Sequence, residues 1–188
     1  MIAVIYGSTT GNTSDAAVKI AKILGEDQVE LCDVKDVGLA ALEFFDHIIF
    51  AIPTWDYGEV QADWQDVWDE IDDTDFSSKT VAFLGMGDQF AYAEWFQDAM
   101  GYLWAKVVNL GAISVGRWPV AGYSFGESKA LTADETEFVG LPLDDEKEFD
   151  LSEERIAQWC RQILEGCGLV DAELWLPIPI NLVLWHAH

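Results

Sequence analysis

The sequence predicts a doubly wound α/β protein: five parallel strands in the order 2-1-3-4-5, layered between helices on both faces, with an insertion splitting the fifth strand. Two observations lead there. Strand-like apolar runs alternate with helix-spaced ones along most of the chain, the pattern of βαβ units. The first strand also breaks into a loop of glycine and hydroxyl residues exactly where a helical pattern begins, placing a helix N-terminus beyond the sheet's carboxyl edge. With 188 residues, 51% of them hydrophobic, and no internal repeat or low-complexity linker, one compact domain is expected.

The strand Ile2–Tyr6 opens the chain, and the loop Gly7-Ser8-Thr9-Thr10-Gly11-Asn12-Thr13 follows it. Val18, Ile20, Ala21, Ile23 and Leu24 then carry helical spacing. Backbone N–H groups, hydroxyls and the positive end of the helix dipole make such a loop a cradle for an anion. It lacks the Lys of a triphosphate loop and the spacing of a dinucleotide fingerprint, so it suits a terminal monophosphate. The same segment also reads as a hydroxyl-rich turn capping a helix.

Val29–Cys32, His47–Ile52, Thr80–Gly85 and Ile113–Gly116 are the next strands. Helices are expected over Val60–Ile71, from Val60, Trp64, Val67, Trp68 and Ile71, and over Phe96–Leu110, from Phe96, Met100, Leu103, Val107 and Leu110. From Arg117 to Glu137 the pattern dissolves into Gly, Ser, Pro and charge. It returns as a strand at Phe138-Val139-Gly140-Leu141, before a closing helix Ser152–Glu165.

In this winding a ligand lies past the carboxyl ends of strands one and three. The loops that meet there are Gly7–Thr13, Pro53-Thr54-Trp55-Asp56-Tyr57-Gly58-Glu59 and Met86-Gly87-Asp88-Gln89-Phe90-Ala91-Tyr92. Trp55 and Tyr92 are placed to hold a flat conjugated ring between them. Asp88 can accept from a ring N–H, and Gly58 and Gly87 allow close backbone approach. Either aromatic taken singly also reads as a loop side chain folded onto the core.

Taken as a set, these motifs resemble the long-chain flavodoxins, small FMN-containing electron carriers. The resemblance runs from Met1 to about Leu169 and includes Tyr6–Thr13, Pro53-Thr54-Trp55 with Gly58-Glu59, and Gly87-Asp88-Gln89 with Tyr92. Trp118-Pro119, Gly122-Tyr123 and Phe138–Leu141 complete it. It implies that Ser8, Thr9, Thr10, Gly11, Asn12 and Thr13 hold the FMN phosphate, and that Trp55 and Tyr92 cover the two faces of the isoalloxazine. Asp88 is then near the pyrimidine edge, with Pro53, Thr54, Asp56, Tyr57, Gly58, Met86 and Gly87 around the ring, and the Asp56–Tyr57 peptide turns toward the flavin N5 on reduction. The split fifth strand corresponds to the family's long-chain insertion. Met86, Trp95 and Asp56 depart from its usual choices.

The implied function is low-potential electron transfer, carrying single electrons on non-covalently bound FMN, with no catalytic residue. An NAD(P)H:quinone reductase of the same fold is the enzyme alternative, and the acidic flank speaks against its anionic dinucleotide. A receiver domain would need clustered carboxylates after strand one and an Asp ending strand three, where Tyr6-Gly7 and Pro53-Thr54 stand instead.

The formal charge is −24, from 34 acidic against 10 basic side chains. This disfavours nucleic acid and anionic membranes and favours cationic partners. Between Lys35 and Lys106 the only basic residue is Lys79, while carboxylates recur from Asp36 to Asp98. The expected partners are a basic NADP-dependent flavodoxin or ferredoxin reductase and electron-accepting enzymes, the chain itself being a monomer. Cys32, Cys160 and Cys167 form no metal-like pair and read as reduced thiols of a cytoplasmic protein. No signal peptide is evident at the start, and no apolar run is long enough to span a bilayer.

The flavodoxin-like domain is assigned to residues 1–169, leaving an apolar tail, 170–188, of unassigned role. Trp175, Leu176, Ile178, Ile180, Leu182, Val183, Leu184 and Trp185 make it apolar, and Pro177 and Pro179 break a helix. No metal is assigned to His186 and His188.

Overall fold

The computed structural model describes residues 1–169, and the readings of the 170–188 segment lie outside them. The strands of the main sheet are β1 (Ile2–Tyr6), β2 (Val29–Asp33), β3 (His47–Trp55), the short β4 (Glu59–Val60), β5 (Thr80–Met86), β6 (Ile113–Ser114) and, later in the chain, β9 (Leu141–Leu143). A separate two-stranded ribbon pairs β7 (Trp118–Pro119) with β8 (Glu137–Phe138). The helices are α1 (Asn12–Leu24), α2 (Val34–Val37), α3 (Ala62–Asp66), α4 (Asp98–Asn109) and α5 (Phe149–Gly166).

The sheet order is β2-β1-β3-β5-β6, all parallel. Because β4 is only a hairpin return on β3, this is the expected doubly wound order. Both β6, opposite Thr80 and Val81, and β9, opposite Leu84 to Met86, run parallel to β5. They are the two halves of a fifth strand, separated by the insertion.

Side-chain alternation creates the three layers, since successive strand residues point to opposite faces. Ala3 and Ile5, Ile48, Phe50 and Ile52, and Val81 and Phe83 enter one core with Trp64 and with Met100, Leu103 and Val107 of α4. Ile2 and Val4, Ile49 and Ala51, and Ala82 and Leu84 enter the other, against Ala16, Ala17 and Ile20 of α1 and Ile156, Trp159 and Ile163 of α5.

Two expected elements are corrected. Val60–Ile71 is not one helix: α3 ends at Asp66, and a 3-10 turn covers Trp68–Asp73. Asp66, Asp69, Glu70, Asp72 and Asp73 would repel one another at helical spacings, and the tighter turn still buries Ile71, with Trp64 and Val67 buried ahead of it. The fifth strand resumes at Leu141 rather than Phe138. Phe138 belongs to the ribbon, opposite Trp118, with its ring among Phe96, Tyr123 and Phe125. Gly140 makes the crossing back to the sheet possible, because a Cβ there would collide with the Phe83 carbonyl oxygen.

Candidate functional site

A cleft of about 280 Å³ opens at the carboxyl edge of the sheet. Three predicted loops converge on it, and it is lined by Thr10, Asn12 and Thr13, by Pro53 to Asp56, and by Met86 to Asp88 with Tyr92. Gly58 lies instead in an adjoining cleft on the far side of Trp55 and Asp56, while Ser8, Thr9, Gly11 and Tyr57 do not line the first one.

The first loop is shaped from behind by side chains of a later segment. Trp64, fully buried, donates its indole N–H to the Ala51 carbonyl at 3.2 Å. A Cβ on Gly7 would stand 2.5 Å from Gln61 Oε1 and 2.6 Å from Trp64 Cδ1. Gln61 Nε2 donates to Thr9 Oγ1 at 3.0 Å, fixing the middle of the loop. Gly11 then takes φ +100°, with open space where a Cβ would be, and donates its N–H to Ser8 Oγ at 3.2 Å. No side chain caps the N-terminus of α1. The amides there are left to a ligand or water, with the positive end of a 13-residue helix behind them.

The second loop is the hairpin return between β3 and β4, where Trp55 pairs with Glu59. Asp56 has φ +42° and Gly58 φ +90°. Thr54 Oγ1 accepts the Ala99 N–H at 3.2 Å, so its hydroxyl anchors the start of α4. Asp98, 2% exposed, lies beneath Gly58, its Oδ2 2.9 Å from where a Cβ would stand. Burial pushes the Asp98 carboxyl upward in pKa, and the Lys129 N–H, donated to Oδ1 at 2.8 Å, partly opposes this.

In the third loop, Asp88 Oδ1 accepts from the backbone N–H groups of Phe90 at 2.9 Å and Ala91 at 2.8 Å. The carboxylate therefore shapes its own turn. Tyr92, 40% exposed, stands at the rim of the cleft.

Sequence reasoning missed Asp145 and Glu146, which also line the cleft, and the supporting residues Gln61 and Asp144. A signal for the first pair was present: a fifth strand resuming before Asp144 must end at the same sheet edge as the other loops. Among the described residues no group of three or more His, Cys, Asp or Glu side chains could hold a metal ion, and no helix is long and apolar enough to cross a membrane.

A doubly wound sheet with an open helix N-terminus and an aromatic-flanked cleft at its switch point defines a mononucleotide-binding class of protein. The comparisons with known proteins narrow this. Residues 4–159 match the sequence profile of the family described as Flavodoxin. The chain is 50% identical over 159 residues to flavodoxin 2 of Salmonella typhi, covering 85% of this chain and 92% of that protein. It is 47% identical over 169 residues to a Picosynechococcus flavodoxin, covering 89% and 98%. A crystal structure of Fusobacterium nucleatum flavodoxin bound to flavin mononucleotide superimposes with a TM-score of 0.83 at 31% identity, over 88% of this chain and 97% of that one. The chain belongs to the flavodoxin family.

Proposed function

We propose that the cleft holds one FMN non-covalently and that the chain carries single electrons on it at low potential. The observation that supports this most is the sharing of one cleft by the uncapped N-terminus of α1 and the pair Trp55 and Tyr92. Ser8 to Thr13 would hold the phosphate, through backbone N–H groups and hydroxyls. Trp55 and Tyr92 would cover the ring faces, with Asp88 accepting from the ring edge. Pro53, Thr54, Asp56, Tyr57, Gly58, Met86 and Gly87 would complete the surroundings of the ring.

Bound FMN supplies the one-electron chemistry, and the protein supplies orientation, electrostatics and docking. Family membership bears out the electron-carrier reading over the quinone reductase. Asp56, Asp88, Asp145 and Glu146 all line the cleft, and fixed negative charge opposes the addition of more. That supports a low potential.

Its redox partners would be a basic NADP-dependent flavodoxin or ferredoxin reductase and electron-accepting enzymes that meet the acidic surface, with the chain acting as a monomer in the cytoplasm and binding neither nucleic acid nor membrane. Three free thiols agree with a reducing compartment. Burial pushes the Cys160 thiol up to about 12, which keeps it protonated and unreactive. Titrating flavin-free protein with FMN and with FAD, read by quenching of flavin fluorescence, tests the binding reading. FMN is expected to saturate at one per chain, and preferential uptake of FAD would overturn it.

A further inference from the structure

We infer that Trp95 is a positioning residue: through contact with Tyr57 its indole fixes the peptide between Asp56 and Tyr57, and so sets how readily bound flavin accepts its first electron. The inference rests on the FMN reading and assigns a role to a residue outside the cleft lining.

The turn joining β3 to β4 has two points of conformational freedom. Asp56 sits at φ +42° and Gly58 at φ +90°, and both residue types can also adopt other backbone regions at modest cost. The peptide between them is therefore free to reorient unless something holds it. Tyr57 is 70% exposed, so the core does not hold it. Its ring packs edge-on against Trp95 instead, with centroids 5.1 Å apart and planes at 73°, a favoured aromatic arrangement.

Trp95 reaches the other end of the turn as well, its Cδ1 being 3.1 Å from where a Cβ on Gly58 would stand. The indole itself is on a fixed base. The Trp95 N–H donates to the Tyr92 carbonyl at 3.0 Å, and the Ala93 carbonyl accepts from Gly126 at 2.9 Å and Glu127 at 3.0 Å. Tyr92 belongs to the loop after β5, not to the β3–β4 turn. The Tyr57–Trp95 contact thus joins the two loops that carry the cleft's aromatic residues.

Reduction changes what that turn must offer. With FMN held here, uptake of one electron from a reductant and one proton from solvent would call on this turn to present the Asp56 carbonyl in place of the Tyr57 N–H. A turn latched in one orientation resists that exchange.

The test uses the full chain and two variants, Trp95→Ala and Trp95→Phe. In flavin-free protein, ¹⁵N relaxation should show Tyr57 and Gly58 less ordered in the Ala variant, their order parameters falling from about 0.85 toward 0.6, with β3 and α4 unchanged. In FMN-loaded protein, a dithionite titration with redox mediators should show first-electron uptake favoured by about three- to tenfold, tenfold being about 59 mV for one electron. Trp95→Phe should stay close to the parent in both measurements. Unchanged order and potential in Trp95→Ala would overturn the proposal, as would loss of order throughout the chain or a loosened turn with an unmoved potential. If the unaltered chain takes up no FMN, the binding reading fails on its own account, and the order parameters still decide whether Trp95 holds the turn.

Discussion

The backbone N–H of Gln89 donates to the buried carboxylate of Asp144 at 3.1 Å, tying the loop after β5 to the end of β9 across 55 residues of chain. Asp144 also accepts the Lys147 N–H at 3.1 Å, and Gly87 donates to the Leu143 carbonyl at 3.0 Å. Two walls of the cleft are thereby held by one fully buried side chain. Replacing Asp144 with Ala leaves the buried Gln89 N–H without an acceptor, which should lower unfolding free energy by about 1–3 kcal/mol. Urea denaturation measures this, and an unchanged midpoint would remove Asp144 from its supporting role.

The aromatic pair should matter to affinity. Trp55→Ala and Tyr92→Ala are each expected to weaken FMN binding by about 1–3 kcal/mol, through lost apolar area and stacking. Binding of inorganic phosphate at the loop before α1 should not change. Isothermal calorimetry with both ligands separates the two effects, and full FMN affinity in both variants would displace the ring from its assigned position.

Asp98 gives a pH dependence whose direction follows from its burial. Its carboxyl titrates higher in the folded chain than in the unfolded one, so folding is penalised at pH above the folded value, and the penalty is relieved as pH falls toward the ordinary carboxylate range. Asp98→Asn keeps an acceptor for Lys129 and carries no charge. The variant should be more stable than the parent at neutral pH, with the difference shrinking on acidification. Thermal unfolding from pH 7 to about 4 reads it, and a gain that grew at low pH would reverse the sign.

The acidic run flanking the flavin turn is only partly free to steer partners. Asp63 accepts from Gln61 at 2.6 Å, Glu70 from the Leu39 N–H at 3.2 Å, and Asp72 pairs with Lys106 at 2.8 Å. Asp66, Asp69 and Asp73 are exposed. Converting those three to amides should slow association with a basic flavodoxin reductase at low salt and flatten the salt dependence, since exposed charges are screened over about 8 Å at physiological ionic strength. Stopped-flow rates across a salt series check this. Parallel slopes for parent and variant would assign docking to other surface.

The winding, the split fifth strand and the three convergent loops were legible because they follow from local periodicity and turn chemistry. Strand Ile2–Tyr6 has the bounds expected for it, and Trp55 and Tyr92, 37 positions apart in the sequence, line one cleft. What escaped depends on contacts between distant segments. Nothing near Gln61 marks it as the support of Thr9, and Asp144 reads as one more carboxylate until Gln89 is folded against it. The break in the helix over Val60–Ile71 has a different origin, because repulsion among the intervening carboxylates opposes what the apolar spacing favours there.

Whether the cleft carries FMN is decided by the flavin that heat or acid releases from the purified protein, identified by mass together with the visible spectrum before release. A yellow protein yielding FMN at one per chain is expected. Recovery of FAD, or a colourless protein that takes up no added FMN, would contradict it.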